Sequence, residues 1–151
     1  MARPPIPECA PRRSIPTRGE LRVRPRYVEC DPMGVVHHSS YLPWMEMART
    51  EMLRECGVSY ADLEEMGVFL VITRLDVRYL RPARYDQELV LRCEVTGGGR
   101  ARLNHEYELL EVREDGSVGT VLLTASTTLA CVDASGRPTP LPEWLTPTSH
   151  G

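Results

Sequence analysis

The residues best suited to chemistry lie together in Tyr27-Val-Glu-Cys-Asp31-Pro-Met33-Gly34-Val-Val36-His-His38. Asp31 places a carboxylate three residues before Gly34 and seven before His38, in a loop that runs into an amphipathic helix. A carboxylate in that position can attack a carbonyl carbon or take a proton from a water that does. The first backbone N–H groups of the helix, near His38, lack partners within it, and the helix dipole favours negative charge there. A nucleophile or base is thus paired with donors for an oxygen that becomes negative. Gly34, with no Cβ, leaves room for a close approach by substrate or backbone.

Each of these residues also has an ordinary reading. An Asp in Asp-Pro-Met-Gly is commonly only a turn former. His37 and His38 precede a helix, where polar side chains cap or face solvent, and Tyr27 fits a strand with its hydroxyl at the rim. Cys30 is a weaker nucleophile candidate, because it and Asp31 point to opposite sides of an extended chain and buried cysteine is inert packing. His105 falls on the apolar parity of its strand and reads as a core histidine. No GK[ST] follows Gly97-Gly98-Gly99, so these glycines read as a hairpin turn rather than a phosphate loop. Met45, Met47 and Met52 read as helix packing.

Several elements must position these groups. Residues 20–29 have the pattern of a strand leading into the Asp-Pro-Met-Gly turn. From about Ser39 to Cys56, Tyr41, Trp44, Met45, Ala48 and Met52 recur at three- and four-residue steps, which predicts a helix with one apolar stripe. Ser39 or Ser40 is placed to cap its start, and Gly57 suits the left-handed position after its end. A short second helix is expected after Ser59, with Asp62 completing a capping box and Gly67 as the stop.

Beyond it the period changes to two. Phe69, Val71, Thr73, Leu75, Val77 and Tyr79 share one parity, predicting a half-buried strand. The pattern repeats in Leu89, Leu91, Cys93 and Val95, then in Leu103, His105, Tyr107 and Leu109, and last in Val121, Leu123, Ala125, Thr127, Leu129 and Cys131. Glu114-Asp115-Gly116 joins the last two strands. One apolar sheet face and one apolar helix stripe must bury each other, giving an α+β domain with an antiparallel sheet wrapped around a long helix. Val90, Leu110 and Leu122 interrupt the polar outer face and suggest self-association.

Length and composition set the frame. The 151 residues fit one domain, of which 42% are apolar and 26% charged, and the net charge is −3. Nothing there resembles a nucleic-acid footprint, although a local arginine cluster remains open to an anionic ligand. The five cysteines show no metal-ligand spacing and no disulfide framework, so no metal is expected and free thiols point to a reducing compartment. With no signal-like or membrane-spanning stretch, the expected location is cytoplasmic. Residues 1–18 read as a proline-rich flexible arm, 19–135 as the folded domain, and 136–151 as a tail over the surface.

Beyond these readings, the chain resembles the 4-hydroxybenzoyl-CoA thioesterase-like branch of the hotdog family, which includes the acyl-CoA thioesterases associated with the Tol–Pal envelope system. The resemblance rests on an aromatic (Tyr27) four residues before Asp31, then Gly34 and Val36, then Tyr41-Leu-Pro-Trp44-Met-Glu46-Met-Ala48-Arg49. Tyr79-Leu-Arg-Pro82-Ala83-Arg84-Tyr-Asp86 extends it, over about residues 20–135. It implies a hotdog domain that hydrolyses an acyl-CoA or acyl-carrier thioester without a cofactor, coenzyme A being part of the substrate. Asp31 would be the nucleophile or general base, with His38 and Tyr27 assisting. Gly34, Val36, Met33 and Trp44 would line the substrate site, and Arg100 and Arg102 would meet the CoA phosphates, with Arg74, Arg78 and Arg84 weaker choices. The site would lie between subunits of a homodimer or homotetramer. Two other readings remain: a hotdog enoyl-thioester hydratase or dehydratase using His38 and Glu46, and a non-catalytic acyl-CoA-binding protein.

Overall fold

The computed structural model describes residues 16–147, so most of the proposed N-terminal arm lies outside the described residues. Strand β1 (Arg18–Val23) is followed by a single 3₁₀ turn at Tyr27–Glu29, helix α1 (Tyr41–Arg54) and helix α2 (Tyr60–Glu65). Strands β2 (Phe69–Tyr79), β3 (Leu89–Gly99), β4 (Arg102–Val112) and β5 (Val118–Val132) complete one antiparallel sheet in the order β1-β3-β4-β5-β2. This is the expected α+β hotdog architecture.

The predicted strand over residues 20–29 is shorter than its pattern implied. Pro25 has no N–H to give to a ladder, so β1 stops at Val23, and the Tyr27–Glu29 turn takes over before the loop that carries Asp31. Tyr27 is therefore not a strand residue.

Helix α1 packs across β1 and β3. Its buried stripe comprises Tyr41, Trp44, Met45, Ala48 and Met52, as the spacing predicts, with Arg49 and Leu53 added. Met47 is half exposed and lies off that stripe. Neither serine caps the helix by its side chain. Ser40 holds the cap position in a helical conformation, and its hydroxyl donates instead to the Glu29 carbonyl at 3.2 Å. Helix α2 does carry the predicted box, with Asp62 N–H donating to Ser59 Oγ (3.1 Å) and Ser59 N–H to Asp62 Oδ2 (2.8 Å).

The helix-facing side of the sheet buries Leu89, Leu91 and Cys93, then Leu103, His105, Tyr107 and Leu109, then Leu123, Thr127, Leu129 and Cys131. The alternation breaks in β2. A register shift between Ile72 and Arg74 means that Leu70 and Ile72 face Cys131 and Leu129, whereas Leu75, Val77 and Tyr79 face Thr127, Ala125 and Leu123. A bulge inserts one residue and exchanges the faces beyond it, so the single parity read from the sequence does not hold along the strand. Ile72, Leu75 and Tyr79 point to the helix side yet stay exposed, because α1 covers the opposite half of the sheet. Val90, Leu110 and Leu122, read as open apolar positions, are buried. Within the sheet, the exposed large apolar side chains, Val71, Ile72, Leu75 and Tyr79, all belong to β2.

Two further differences concern the ends of strands. Gly97, Gly98 and Gly99 lie within β3, and the reversal falls at Arg100 and Ala101. At Gly98, with φ +143°, a Cβ would stand 2.1 Å from the Arg102 carbonyl oxygen, so only glycine fits. The segment after β5 also enters the core. Leu141 and Leu145 pack with Leu53, Val58, Leu63 and Val68, while Leu141 N–H donates to the Arg100 carbonyl at 2.8 Å.

Candidate active site

Residues 29–37 form a miniature hairpin in front of α1. The Asp31 N–H donates to the Val35 carbonyl (2.8 Å), Gly34 N–H to the Asp31 carbonyl (2.9 Å), and His37 N–H to the Glu29 carbonyl (2.8 Å). The connection between β2 and β3 supports it from the side, through Val36 N–H to the Ala83 carbonyl (2.8 Å) and a bridge between Val35 and Arg84. Gly34 sits at φ +79° with nothing within 4 Å of a built Cβ. The left-handed backbone, rather than crowding by a protein neighbour, calls for glycine there.

Asp31 is both a turn former and a chemically open group. Its Oδ1 accepts the Met33 N–H at 2.9 Å and, more weakly, the Val35 N–H at 3.4 Å. Its Oδ2 accepts from no described residue. The carboxylate is thus held by one oxygen, in the manner of an Asx turn, and presents the other.

His38 is exposed, its ring tilted over that of His37 with centroids 4.1 Å apart. His37 is engaged through Nδ1 with Ser39 Oγ at 2.7 Å. The His38 N–H donates to no described residue, whereas the N–H groups of His37, Ser39 and Ser40 are all used. Tyr27 is 81% exposed, with its ring edge-on to Tyr85 at 5.8 Å, and no hydrogen bond joins it to Asp31. Met33 is 82% exposed at the hairpin tip, while Val36 and Trp44 are buried in the core below.

The structure does not bring Arg100 and Arg102 to Asp31 within one chain. Val23, from which the Asp31 loop departs, pairs with Leu89 at the start of β3, whereas both arginines follow its end. At about 3.4 Å per residue, β3 separates them by roughly 30 Å. The exposed Arg81 and Arg84 lie in the β2–β3 connection, at the same end as the hairpin. Glu46 is exposed on α1, and no described hydrogen bond links it to His38.

Two features escaped the sequence reading. One is Glu29, a buried carboxylate beside the hairpin. Burial alone would raise its pKa, but hydrogen bonds from the Arg26 N–H and side chain and from Trp44 hold it below the usual value. The other is a buried polar cluster between α1 and the sheet. Arg49 Nη1 donates to the Tyr107 hydroxyl (2.9 Å), which also lies 2.9 Å from Thr127 Oγ1. His105 is buried beside it, and desolvation, then the Arg49 charge, push its pKa down to about 4. Its neutral, enclosed ring fits the core reading. Cys93 is pushed up to about 12, chiefly by burial. Of the described cysteines, Cys30 is half-buried and Cys56, Cys93 and Cys131 are buried. Among the described residues no group of three or more His, Cys, Asp or Glu is arranged to hold a metal, and no helix is long and apolar enough to cross a membrane.

Comparison with known proteins places this geometry in context. Residues 23–147 match the family profile described as the thioesterase-like superfamily. The acyl-CoA thioester hydrolase YbgC of Escherichia coli is 34% identical over 111 residues, covering 74% of this chain and 79% of that one. The structure of a DHNA-CoA thioesterase from Staphylococcus aureus superposes with a TM-score of 0.73 at 31% identity, covering 82% of this chain and 80% of the other. The 4-hydroxybenzoyl-CoA thioesterase of Pseudomonas sp. strain CBS-3 shares the fold, with a TM-score of 0.74 at 19% identity over 84% and 95% of the two chains.

Proposed function

The chain belongs to the thioesterase-like superfamily, and from that premise we propose that it hydrolyses acyl-CoA thioesters to a free acid and coenzyme A, with Asp31 as the catalytic carboxylate. The observation that carries this reading is the division of labour at Asp31, where Oδ1 is fixed by Met33 N–H and Oδ2 has no described donor. The open oxygen leaves this carboxylate able to act on a substrate while its partner oxygen closes the turn that precedes α1.

Chemically, Oδ2 takes a proton from water as the water oxygen attacks the thioester carbonyl, or itself attacks that carbon to give an acyl-aspartyl anhydride that water then opens. In either route the carbonyl oxygen becomes negative near the His38 N–H, with the positive end of α1 behind it. Collapse expels the CoA thiolate, which takes up a proton. His38 and Tyr27 stand at the rim, where their side chains meet the substrate as it enters. Met33 and Gly34 border the approach to Asp31, with Val36 and Trp44 as the floor beneath.

A second copy of the chain completes this site. Ile72, Leu75 and Tyr79 give β2 a partly exposed apolar face at the edge of the cover that α1 gives, and contiguous exposed apolar surface marks an interaction site. Arg100 and Arg102 lie at the far end of their own sheet, so they reach a CoA bound at Asp31 only from a partner subunit.

Thiol release from a panel of acyl-CoA esters, measured for wild type and Asp31→Asn, tests the reading. Wild-type turnover with a loss of about 10²-fold or more in a folded Asp31→Asn protein is expected. Equal rates in both proteins would remove Asp31 from the mechanism. No turnover with any CoA ester would leave a carrier-protein thioester or a binding role.

A further inference from the structure

We propose that Glu29 is the positioning residue of the site, the anchor that holds the Asp31 hairpin in register with helix α1. The inference rests on the thioesterase reading for its catalytic consequence, but its structural content stands independently. Glu29 uses every acceptor it has, and each points to a different part of the site. Its backbone carbonyl takes the His37 N–H at 2.8 Å and the Ser40 hydroxyl at 3.2 Å, closing the base of the hairpin and meeting the residue before α1. Its Oε2 takes the Trp44 indole N–H at 2.8 Å, one turn inside α1. Its Oε1 takes the Arg26 N–H at 2.8 Å and the Arg26 Nε at 3.2 Å, fixing the incoming chain.

A carboxylate this buried is costly without full compensation. Here two N–H groups from Arg26 and one from Trp44 provide it, and the ion pair with Arg26 adds to them. One side chain therefore ties together the chain before the hairpin and the helix after it. Asp31 and the His38 N–H lie on the hairpin and on its return, so their separation is set where Glu29 joins the two. Nothing places Glu29 itself against the substrate, since its carboxylate is buried beneath the hairpin.

The test uses the full chain with Glu29→Gln, which keeps the shape but loses the charge and one acceptor, and Trp44→Phe, which removes the indole donor together with part of a buried ring. With the best CoA ester for wild type, each is expected to lower kcat on the order of 10- to 100-fold, and in Glu29→Gln KM should stay within about twofold, since small misplacement of reacting groups costs this much. The double variant should lose little more than the worse single one, because both break the same link. The acid limb of the pH–rate profile should keep its shape, because neither substitution touches the Asp31 side chain. A raised KM with unchanged kcat, or a vanished acid limb in Glu29→Gln, would make Glu29 a substrate-binding or catalytic group and overturn the proposal. Hydrogen exchange is the readout independent of turnover. Faster exchange at Asp31, Gly34 and His37 amides in a folded Glu29→Gln protein supports the anchor, and unchanged protection there refutes it. Wild type inactive on all CoA esters would count against the acyl-CoA reading alone, with the exchange result still deciding the anchor.

Discussion

The Tyr79 hydroxyl donates to the His38 carbonyl at 2.6 Å, joining the last residue of β2 to the peptide just ahead of helix α1. The same ring lies edge-on to Tyr41 with centroids 5.6 Å apart. The strand bearing the exposed apolar face is thereby coupled directly to the loop bearing the candidate oxyanion donor. Tyr79→Phe keeps the ring contact and removes one partly exposed hydrogen bond, so it should cost no more than about 1 kcal/mol of stability. A several-fold fall in kcat with a near-native melting temperature is the expected result in steady-state and thermal assays.

Asp31 should separate chemistry from turn formation. In Asp31→Asn the side-chain oxygen still accepts the Met33 N–H, so denaturant stability should stay within about 0.5 kcal/mol of wild type while hydrolysis collapses. Asp31→Ala loses the turn bond as well and should unfold with about 1 kcal/mol less stability. Paired denaturation curves and thiol-release rates check both.

Stability should fall on mild acidification because of His105. Its pKa is about 4 when folded and near 6.5 when unfolded, so between those values the unfolded chain binds more protons and stability rises with pH. Moving from pH 7 to pH 5 should cost about 2 kcal/mol, a loss that His105→Gln largely removes. Urea unfolding at the two pH values measures it. Arg49→Met removes a nearby positive charge and should move the His105 titration upward, as followed by NMR.

The apolar face of β2 should decide assembly. Leu75→Asp puts a charge beside Ile72 and Tyr79 on a face that a single chain leaves open, and burying it unpaired costs several kcal/mol. Light scattering after size exclusion should show wild type as a dimer or larger and the variant as a monomer with much reduced hydrolysis. A monomeric wild type would exclude the composite site.

Much of this protein was legible in its residues. Period-two alternation in β3, β4 and β5, the stripe of α1 and the Ser59–Asp62 box are local patterns with local causes, and the structure shows each of them. Asp31, Gly34 and His38 stood out by spacing and by resemblance. The misreadings have a different origin. A bulge at Ile72/Arg74 leaves no clear mark in a string of alternating apolar residues, and neither does an exposed methionine at Met47, because exposure depends on which half of the sheet the helix covers.

Sequence by itself determined the element types, the antiparallel hairpins, the residues with chemistry to offer and the family to which they point, because these follow from nearest-neighbour periodicity and short motifs. Only the tertiary structure decided which groups meet. It gave Glu29 to Trp44 across fifteen residues, Tyr79 to His38 across forty-one, and put Arg100 and Arg102 at the far end from Asp31. Such pairings depend on how strands and helix pack at a distance along the chain, where no local pattern reaches.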